Sequence, residues 1–294
     1  FFSAVGINPE SYDWTRLYNF LAEKNHEVIA GDYECFDGKV MPEVIAMVGE
    51  VINAWYGGSE EDSHIRETLF EEIIHTMQLC ENTVYMTHQG NPSGNPLTTV
   101  LNTIVNVSLM ALTWLEIFPQ SSVAEFFAQV HFKGYGDDNE LAVAPKFQEK
   151  FNQNTIANAL LEHNIVYTAE TKSSDVVPNF RPLDETTFLK RGFRRDPLFG
   201  KNFVLPTMSI ETLNSYFYYV RKSPCVQAQL QENQRSALVF AAFHGKEFYE
   251  EYLGKWKRYM KEAKMESLHI SFEEQVDAFL YNAGVLDSTS LTTR

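Results

Sequence analysis

The sequence predicts an α+β fold, a layer of strands and helices followed by a helical subdomain. Three observations predict it. Short segments near 28–33 and 129–143 carry strand-like runs of β-branched and aromatic residues among longer helix-period stretches. The second of these reads as strand, tight turn, strand, with Gly136, Asp137 and Asp138 at its tip. From about residue 209 to 283 the apolar spacing is helical throughout.

Taken in order, residues 11–24 place Trp14, Leu17, Tyr18 and Leu21 at helical spacing. Residues 28–33 form a short buried strand that ends in acid residues. Pro42 suits the first turn of a helix, and Val44, Ile45, Val48, Val51, Ile52 and Trp55 hold the 3.6-residue period until Gly57 and Gly58 stop it. A second helix is expected over 63–79 and a strand over 83–87. The turn-rich segment 89–96 precedes a long apolar helix over 97–117. Beyond the acid-tipped hairpin come a helix near 147–163, a strand near 165–167 and a hairpin arm over 187–194. Helices over 209–221, 226–243, 246–264 and 272–283 complete the chain, with no internal repeat and no low-complexity linker.

Composition narrows the class. At 294 residues with 44% hydrophobic side chains, the chain buries a large core and is not a disordered tail. No run of about 18 uncharged apolar residues is evident, so a membrane span is not expected, and the first residues show no secretory signal. Cys35, Cys80 and Cys225 are odd in number and far apart, unlike a disulfide framework or a zinc site. The net charge of −15 is unevenly spread. Residues 1–189 hold nine Lys and Arg against 27 Asp and Glu, whereas residues 190–264 hold fourteen against seven. A local basic cluster gains from counterion release on a phosphate backbone whatever the whole-chain total.

The acids carry the chemistry. Asp32 and Asp37 stand five apart at a strand end, and Asp137 and Asp138 stand at a hairpin tip far along the chain. Carboxylates are hard oxygen ligands for Mg²⁺ or Mn²⁺, which keep waters and bind substrate phosphates as well. If the two strands are sheet neighbours, the acids converge and can hold two ions for phosphoryl chemistry. Ser93 and Gly94 open the long helix, and Thr98 and Asn102, four apart, share one of its faces. Polar groups inside an apolar helix need partners, and a ligand is one such partner. Taken singly, an acidic turn or a capping loop is an ordinary feature.

Together they are specific. The chain reads Gly31-Asp32-Tyr-Glu-Cys-Phe-Asp37-Gly38, then Pro92-Ser93-Gly94-Asn-Pro-Leu-Thr98-Thr-Val-Leu-Asn102, then Tyr135-Gly136-Asp137-Asp138, then Phe188-Leu189-Lys190-Arg191. In order and spacing this resembles motifs A, B, C and E of picornavirus-like RNA-dependent RNA polymerases, with the flavour of the insect-infecting iflaviruses and dicistroviruses. Ala169-Glu-Thr-Lys172 resembles the motif D region. The resemblance implies a right-hand polymerase: an antiparallel palm sheet with helices over residues 1–195, an inserted fingers segment around 57–92, and an α-helical thumb over 196–294.

It also implies roles. Asp32 and Asp137 would bind two Mg²⁺ (or Mn²⁺) ions, with Asp138 beside them and the Tyr33 backbone carbonyl as a further ligand. Asp37, Thr98 and Asn102 would read the ribose hydroxyls, and Ser93 and Gly94 would form the mobile loop that handles template and nucleotide. Lys172 would be the general acid to pyrophosphate, and Lys190 and Arg191 would hold the RNA primer backbone. The implied partners are an RNA template and primer, rNTPs, a uridylylated protein primer (VPg) and other viral replication proteins. The implied location is host cytoplasm, at membrane-associated replication complexes. The family carries a large fingers region with basic motif F residues before motif A, whereas here only about thirty residues precede Asp32. The expectation is therefore a palm–thumb portion of a polyprotein product that does not elongate efficiently alone. Two alternatives stay open: a catalytically incomplete module that binds RNA or protein, and a DNA-synthesising or nuclease relative separable by its choice of rNTP or dNTP.

Overall fold

The computed structural model describes residues 2–171, 177–200 and 203–283. The elements in chain order begin with α1 (Tyr12–Lys24), β1 (Glu27–Tyr33), α2 (Phe36–Lys39), α3 (Pro42–Tyr56) and α4 (Glu60–Ile74). Next come β2 (Met77–Cys80), β3 (Thr83–Met86), α5 (Thr98–Ile117), α6 (Val123–Gln129), β4 (Val130–Tyr135), β5 (Asp138–Val143) and α7 (Gln153–Glu162). Then follow β6 (Tyr167–Ala169), β7 (Arg181–Pro182), β8 (Thr187–Phe188), β9 (Arg191–Arg195) and β10 (Val204–Met208). The chain closes with α8 (Ile210–Ser215), α9 (Val226–Ala242), α10 (Lys246–Glu262) and α11 (Phe272–Asn282). The combination of helices and antiparallel sheets is the α+β class that the sequence predicts.

Two compact units divide the chain. One comprises Phe1–Gly6 with Leu21–Pro182, and the other Ile7–Phe20 with Leu183–Arg294. The sequence reading draws its line at 195, after the β8–β9 hairpin, whereas the compact units meet between Pro182 and Leu183.

The first unit is built on an antiparallel sheet in the order β4-β5-β1-β6, with β7 also pairing β1. Val28, Ile29 and Ala30 of β1 and Leu141, Ala142 and Val143 of β5 are buried, because helices cover the sheet. The covering layer centres on α5, which packs against β4, α3 and α7. Its Trp114 is fully buried and meets Phe118, Phe126, Phe147 and Phe151 with ring centroids 4.5–6.0 Å away. By length and composition α5 is apolar enough to cross a membrane, so a long uncharged run does occur, contrary to the sequence reading. Most of that helix is buried inside the protein unit, where it serves as the core helix.

The second unit joins a three-stranded sheet, β10-β9-β8, to helices α8 to α11. Trp14 of α1 stacks on Phe193 at 4.9 Å and on Phe188 at 6.4 Å, while Trp256 of α10 stacks on Phe217 at 4.2 Å.

Several boundaries differ from expectation, each for a local reason. The helix expected to 79 ends at Ile74, and Met77–Cys80 is a strand paired with β3, its register running from Met77↔Met86 to Cys80↔Thr83. Met77 continues the helical spacing of Phe70, Ile73 and Ile74, yet it also alternates with Leu79 as in a strand. Helix α7 begins only at Gln153, where Asn152 and Thr155 form a reciprocal capping box. Beyond Ser215 the expected helix gives way to turns, because Asn233 of α9 donates to the carbonyls of Tyr216 and Tyr219. The strand near 165–167 lies two residues later, at Tyr167–Ala169. Helix α6 and strand β10 were not expected, and β10 carries Pro206, tolerated because this strand is at the sheet edge.

Gly31 sits where β1 lies under the Tyr167 ring: a Cβ there would lie 1.7 Å from the phenol oxygen. Gly31→Ala is therefore expected to destabilise the fold by about 1–3 kcal/mol, the range for overpacking a core. Urea unfolding measures it, and an unchanged midpoint would contradict the packing described.

Candidate active site

The acid-tipped hairpin is held from beneath by buried amides. Tyr135↔Asp138 is the last β4–β5 pair, which leaves Gly136 and Asp137 as the two central turn residues. Gly136 has φ +66°, and glycine at the first central position suits a two-residue hairpin turn. Thr103 Oγ1 accepts the Gly136 N–H at 2.8 Å. Asn106 Nδ2 donates to the carbonyls of Gly136 (3.0 Å) and Asp137 (2.9 Å). Its Oδ1 accepts from the Tyr33 hydroxyl (3.0 Å) and from Asn139 Nδ2 (3.2 Å), and Asn139 Oδ1 accepts from the Tyr167 hydroxyl (2.7 Å). Asn106 and Asn139 are fully buried. Burial, joined by nearby acids, raises the pKa of both phenols, so they stay protonated and serve as donors.

Sheet register brings the first acid to this tip. β1 lies between β5 and β6, with Gly31 opposite Asn139 on one side and Asp32 opposite Thr168 on the other. One step beyond Gly31↔Asn139, the same antiparallel register sets Asp32 level with Asp138. Asp32 Oδ1 accepts the Tyr33 N–H at 2.9 Å. The Asp137 carboxyl is pushed above its ordinary value, first by burial and then by the like charges of Asp32 and Asp37. Acids from β1, α2 and the hairpin tip thus share one electrostatic field.

Among the described residues, no group of three or more His, Cys, Asp or Glu is gathered as a ready ion cage. Mg²⁺ is usually held by one or two carboxylates, with water and substrate phosphates completing the shell. A carboxyl whose pKa is raised by burial and then by neighbouring acids fits such a cation, since its charge favours the ionised form.

A second network forms around Asp37. Its Oδ2 accepts from Ser93 Oγ (2.9 Å) and its Oδ1 from Asn102 Nδ2 (2.8 Å). Its backbone carbonyl accepts the Asn91 N–H at 2.7 Å. Asn102 Oδ1 accepts from Asn91 Nδ2 at 2.8 Å. Thr98 joins this network only through its backbone, its carbonyl accepting from Asn91 Nδ2 at 3.4 Å, while its hydroxyl donates to the Pro92 carbonyl at 3.0 Å and ties down the loop. Gly94 lies exposed on that loop with φ +107°.

In the second unit, Leu189 and Lys190 form the turn between β8 and β9, both with positive φ (52° and 58°). Lys190 is exposed. Arg191 is half-buried, donates to the Leu189 carbonyl and lies 5.3 Å from the centroid of the Phe240 ring. Lys172 lies outside the described residues. Sequence reasoning missed Asn91, Thr103, Asn106, Asn139 and Tyr167. The signal for Thr103 and Asn106 was present, as polar residues inside an apolar helix.

Comparison with known proteins now decides the family. The description "Viral RNA-dependent RNA polymerase" matches residues 1–261. The chain belongs to that family. It is 32% identical over 280 residues to the genome polyprotein of Rice tungro spherical virus (strain Vt6), covering 93% of this chain and 8% of that protein. It is 33% identical over 261 residues to the replicase polyprotein of Drosophila C virus (strain EB), covering 84% of this chain and 15% of that one. The resemblance to picornavirus-like polymerases thus extends to an insect-virus relative. In fold it is similar to the Sicinivirus 3Dpol RNA dependent RNA polymerase, with a TM-score of 0.81 at 23% identity, covering 96% of this chain and 56% of that chain. The chain therefore spans only a small part of the viral polyproteins and about half of the solved polymerase.

Two outcomes follow for the polymerase site. A carboxyl whose pKa is raised by folding contributes stability that is present below the unfolded value and lost as pH rises through the folded one. Asp137→Asn is therefore expected to raise the melting temperature in chelator at neutral pH and to lose any Mn²⁺-induced increase; a lower melting temperature in chelator would refute the charge argument. Asn106→Leu takes this partner from the Gly136 carbonyl and the Tyr33 phenol, leaves the Asp137 carbonyl only the Asn139 amide, and is expected to cost on the order of 3 kcal/mol in urea unfolding. A change below about 0.5 kcal/mol, the scale of neutral surface substitutions, would show that the amide is not a structural hub.

Proposed function

We propose that this chain carries the catalytic centre for RNA-templated RNA synthesis, joining rNTPs to a primer 3′-hydroxyl during replication of a positive-strand RNA virus. The observation that carries this reading is the shared field of Asp32 on β1, Asp37 on α2 and Asp137 at the hairpin tip, brought together from distant parts of the sequence.

Asp32 and Asp137 would hold two Mg²⁺ or Mn²⁺ ions, with Asp138 and the Tyr33 carbonyl completing the oxygen set. When bound, such ions supply positive charge at the attacking and leaving oxygens of an in-line displacement. The protein's share is positioning. The Asn106 and Asn139 amides fix the turn backbone, so Asp137 is presented without reorganisation. Asp37, Ser93 and Asn102 form a polar set that can exchange its internal hydrogen bonds for those of a ribose. A deoxyribose would leave part of that set unpaired, which disfavours dNTPs. Thr98 acts through the loop that it ties, and Gly94 lets that loop turn. Lys172 would be the general acid to pyrophosphate.

RNA contacts belong to the basic segment. On α10, Lys257 and Arg258 are exposed, whereas Lys255 is engaged by Glu251 at 2.9 Å. With Lys190 they would contact phosphates and hold primer and template without reading sequence. A protein primer (VPg) and other viral replication proteins are the partners that this reading implies.

Asp32→Ala or Asp137→Ala in the intact viral polymerase is expected to lower single-nucleotide incorporation at least about 10³-fold, the scale of a lost electrostatic stabiliser. Undiminished synthesis would leave only a binding or scaffold role. Charge reversal at Lys257 and Arg258 is expected to weaken RNA binding across sequences and to flatten the salt dependence by about two units of slope. An unchanged slope would show those charges to be merely solvated.

A further inference from the structure

Asn91 stands one step behind the Asp37 network and is not among the residues to which any role has been given. It is fully buried, in the segment between β3 and α5. Two backbone bonds clamp this segment to α2 and its exit: Gly90 N–H to the Val40 carbonyl (2.9 Å) and Asn91 N–H to the Asp37 carbonyl (2.7 Å). Gln89 Nε2 adds a third, to the Gly38 carbonyl at 3.0 Å.

The side-chain chemistry is directional. An ionised carboxylate only accepts, so Asn102 must turn its Nδ2 toward Asp37, which leaves its Oδ1 facing inward. That oxygen needs a donor, and Asn91 Nδ2 supplies it at 2.8 Å. Flipping the Asn102 amide would set oxygen against carboxylate and NH₂ against NH₂. Asn91 therefore holds the inward end of the Asn102 amide and supports the orientation that the Asp37 carboxylate requires. The arrangement carries a cost: Asn91 Oδ1 is buried and has no hydrogen-bond partner. A buried acceptor left unpaired is uncommon and calls for an explanation. The orientation of the donor is what that cost maintains.

We propose that Asn91 is a positioning residue for sugar selection, holding Asn102 in the one amide orientation that keeps Asp37 and Asn102 matched to a ribose 2′-hydroxyl. The inference rests on the reading of Asp37 and Asn102 as ribose-facing groups. Asn91 touches no substrate itself and acts through Asn102.

The test uses the intact viral polymerase and compares incorporation of ATP and dATP opposite the same template base. The measured quantity is the ratio of kcat/KM for the two nucleotides within one preparation, so a reduced folded fraction cancels. Asn91→Leu, of similar size and without a donor, is expected to lower the rNTP preference at least about tenfold. Should that variant fail to fold, Asn91→Ala removes the same donor without overfilling the site. Asn102→Ala combined with either change is expected to lower the preference little further than Asn102→Ala alone, because the two residues act in series. An unchanged ratio in both Asn91 variants, or fully additive losses in the double variant, would overturn the proposal. A wild-type enzyme with no preference for ATP would instead overturn the ribose reading from which it starts.

Discussion

The site depends on one buried side chain, Asn106, whose two amide atoms make four hydrogen bonds across three elements. Its nitrogen grips the backbone of the acid turn and its oxygen gathers donors from β1 and β5. An exposed hairpin tip is normally free to reshape, since its ends are wet and its contacts few. Here the tip is fastened to the central helix of the unit, and most bonds of the fastening are made inside a low-dielectric interior, where they are strongest. Like-charged acids can be held close only by a frame of that rigidity. Burial first, and then the neighbouring acids Asp32 and Asp37, raise the pKa of Asp137.

Much of this was legible in the sequence because the chemistry lies in short strings at revealing spacings. Gly31 and Asp32 at a strand end, Gly136 to Asp138 in a turn, and Ser93 with Asn102 around a helix start all announce themselves by residue type. The convergence of β1 with the β4–β5 hairpin was legible only as a conditional, since periodicity does not say which strands are neighbours. What stayed hidden was the layer behind. Asn91 and Asn139 are single amides whose importance lies in which atom faces which neighbour, and composition carries no record of direction.

The errors in element boundaries have the same character. Met77 satisfies both strand and helix spacing, and the choice between them is made by pairing with β3 rather than by local preference. Pro206 disguised an edge strand. Residues 216–220 continue a helical pattern that one amide, Asn233, diverts into turns by capturing two carbonyls. In each case a contact made by a neighbouring element outweighed the segment's own pattern.

Helix α5 carries both Asn102 and Asn106, separated by a single turn on one rigid rod. The amide that meets the Asp37 carboxylate and the amide that grips the acid tip therefore cannot move independently. A shift of this rod along its axis, by even a fraction of an ångström, would misplace both together. The Asp37 network and the acid turn are mechanically geared, so a substitution that tilts α5 anywhere along its length changes the two as a pair.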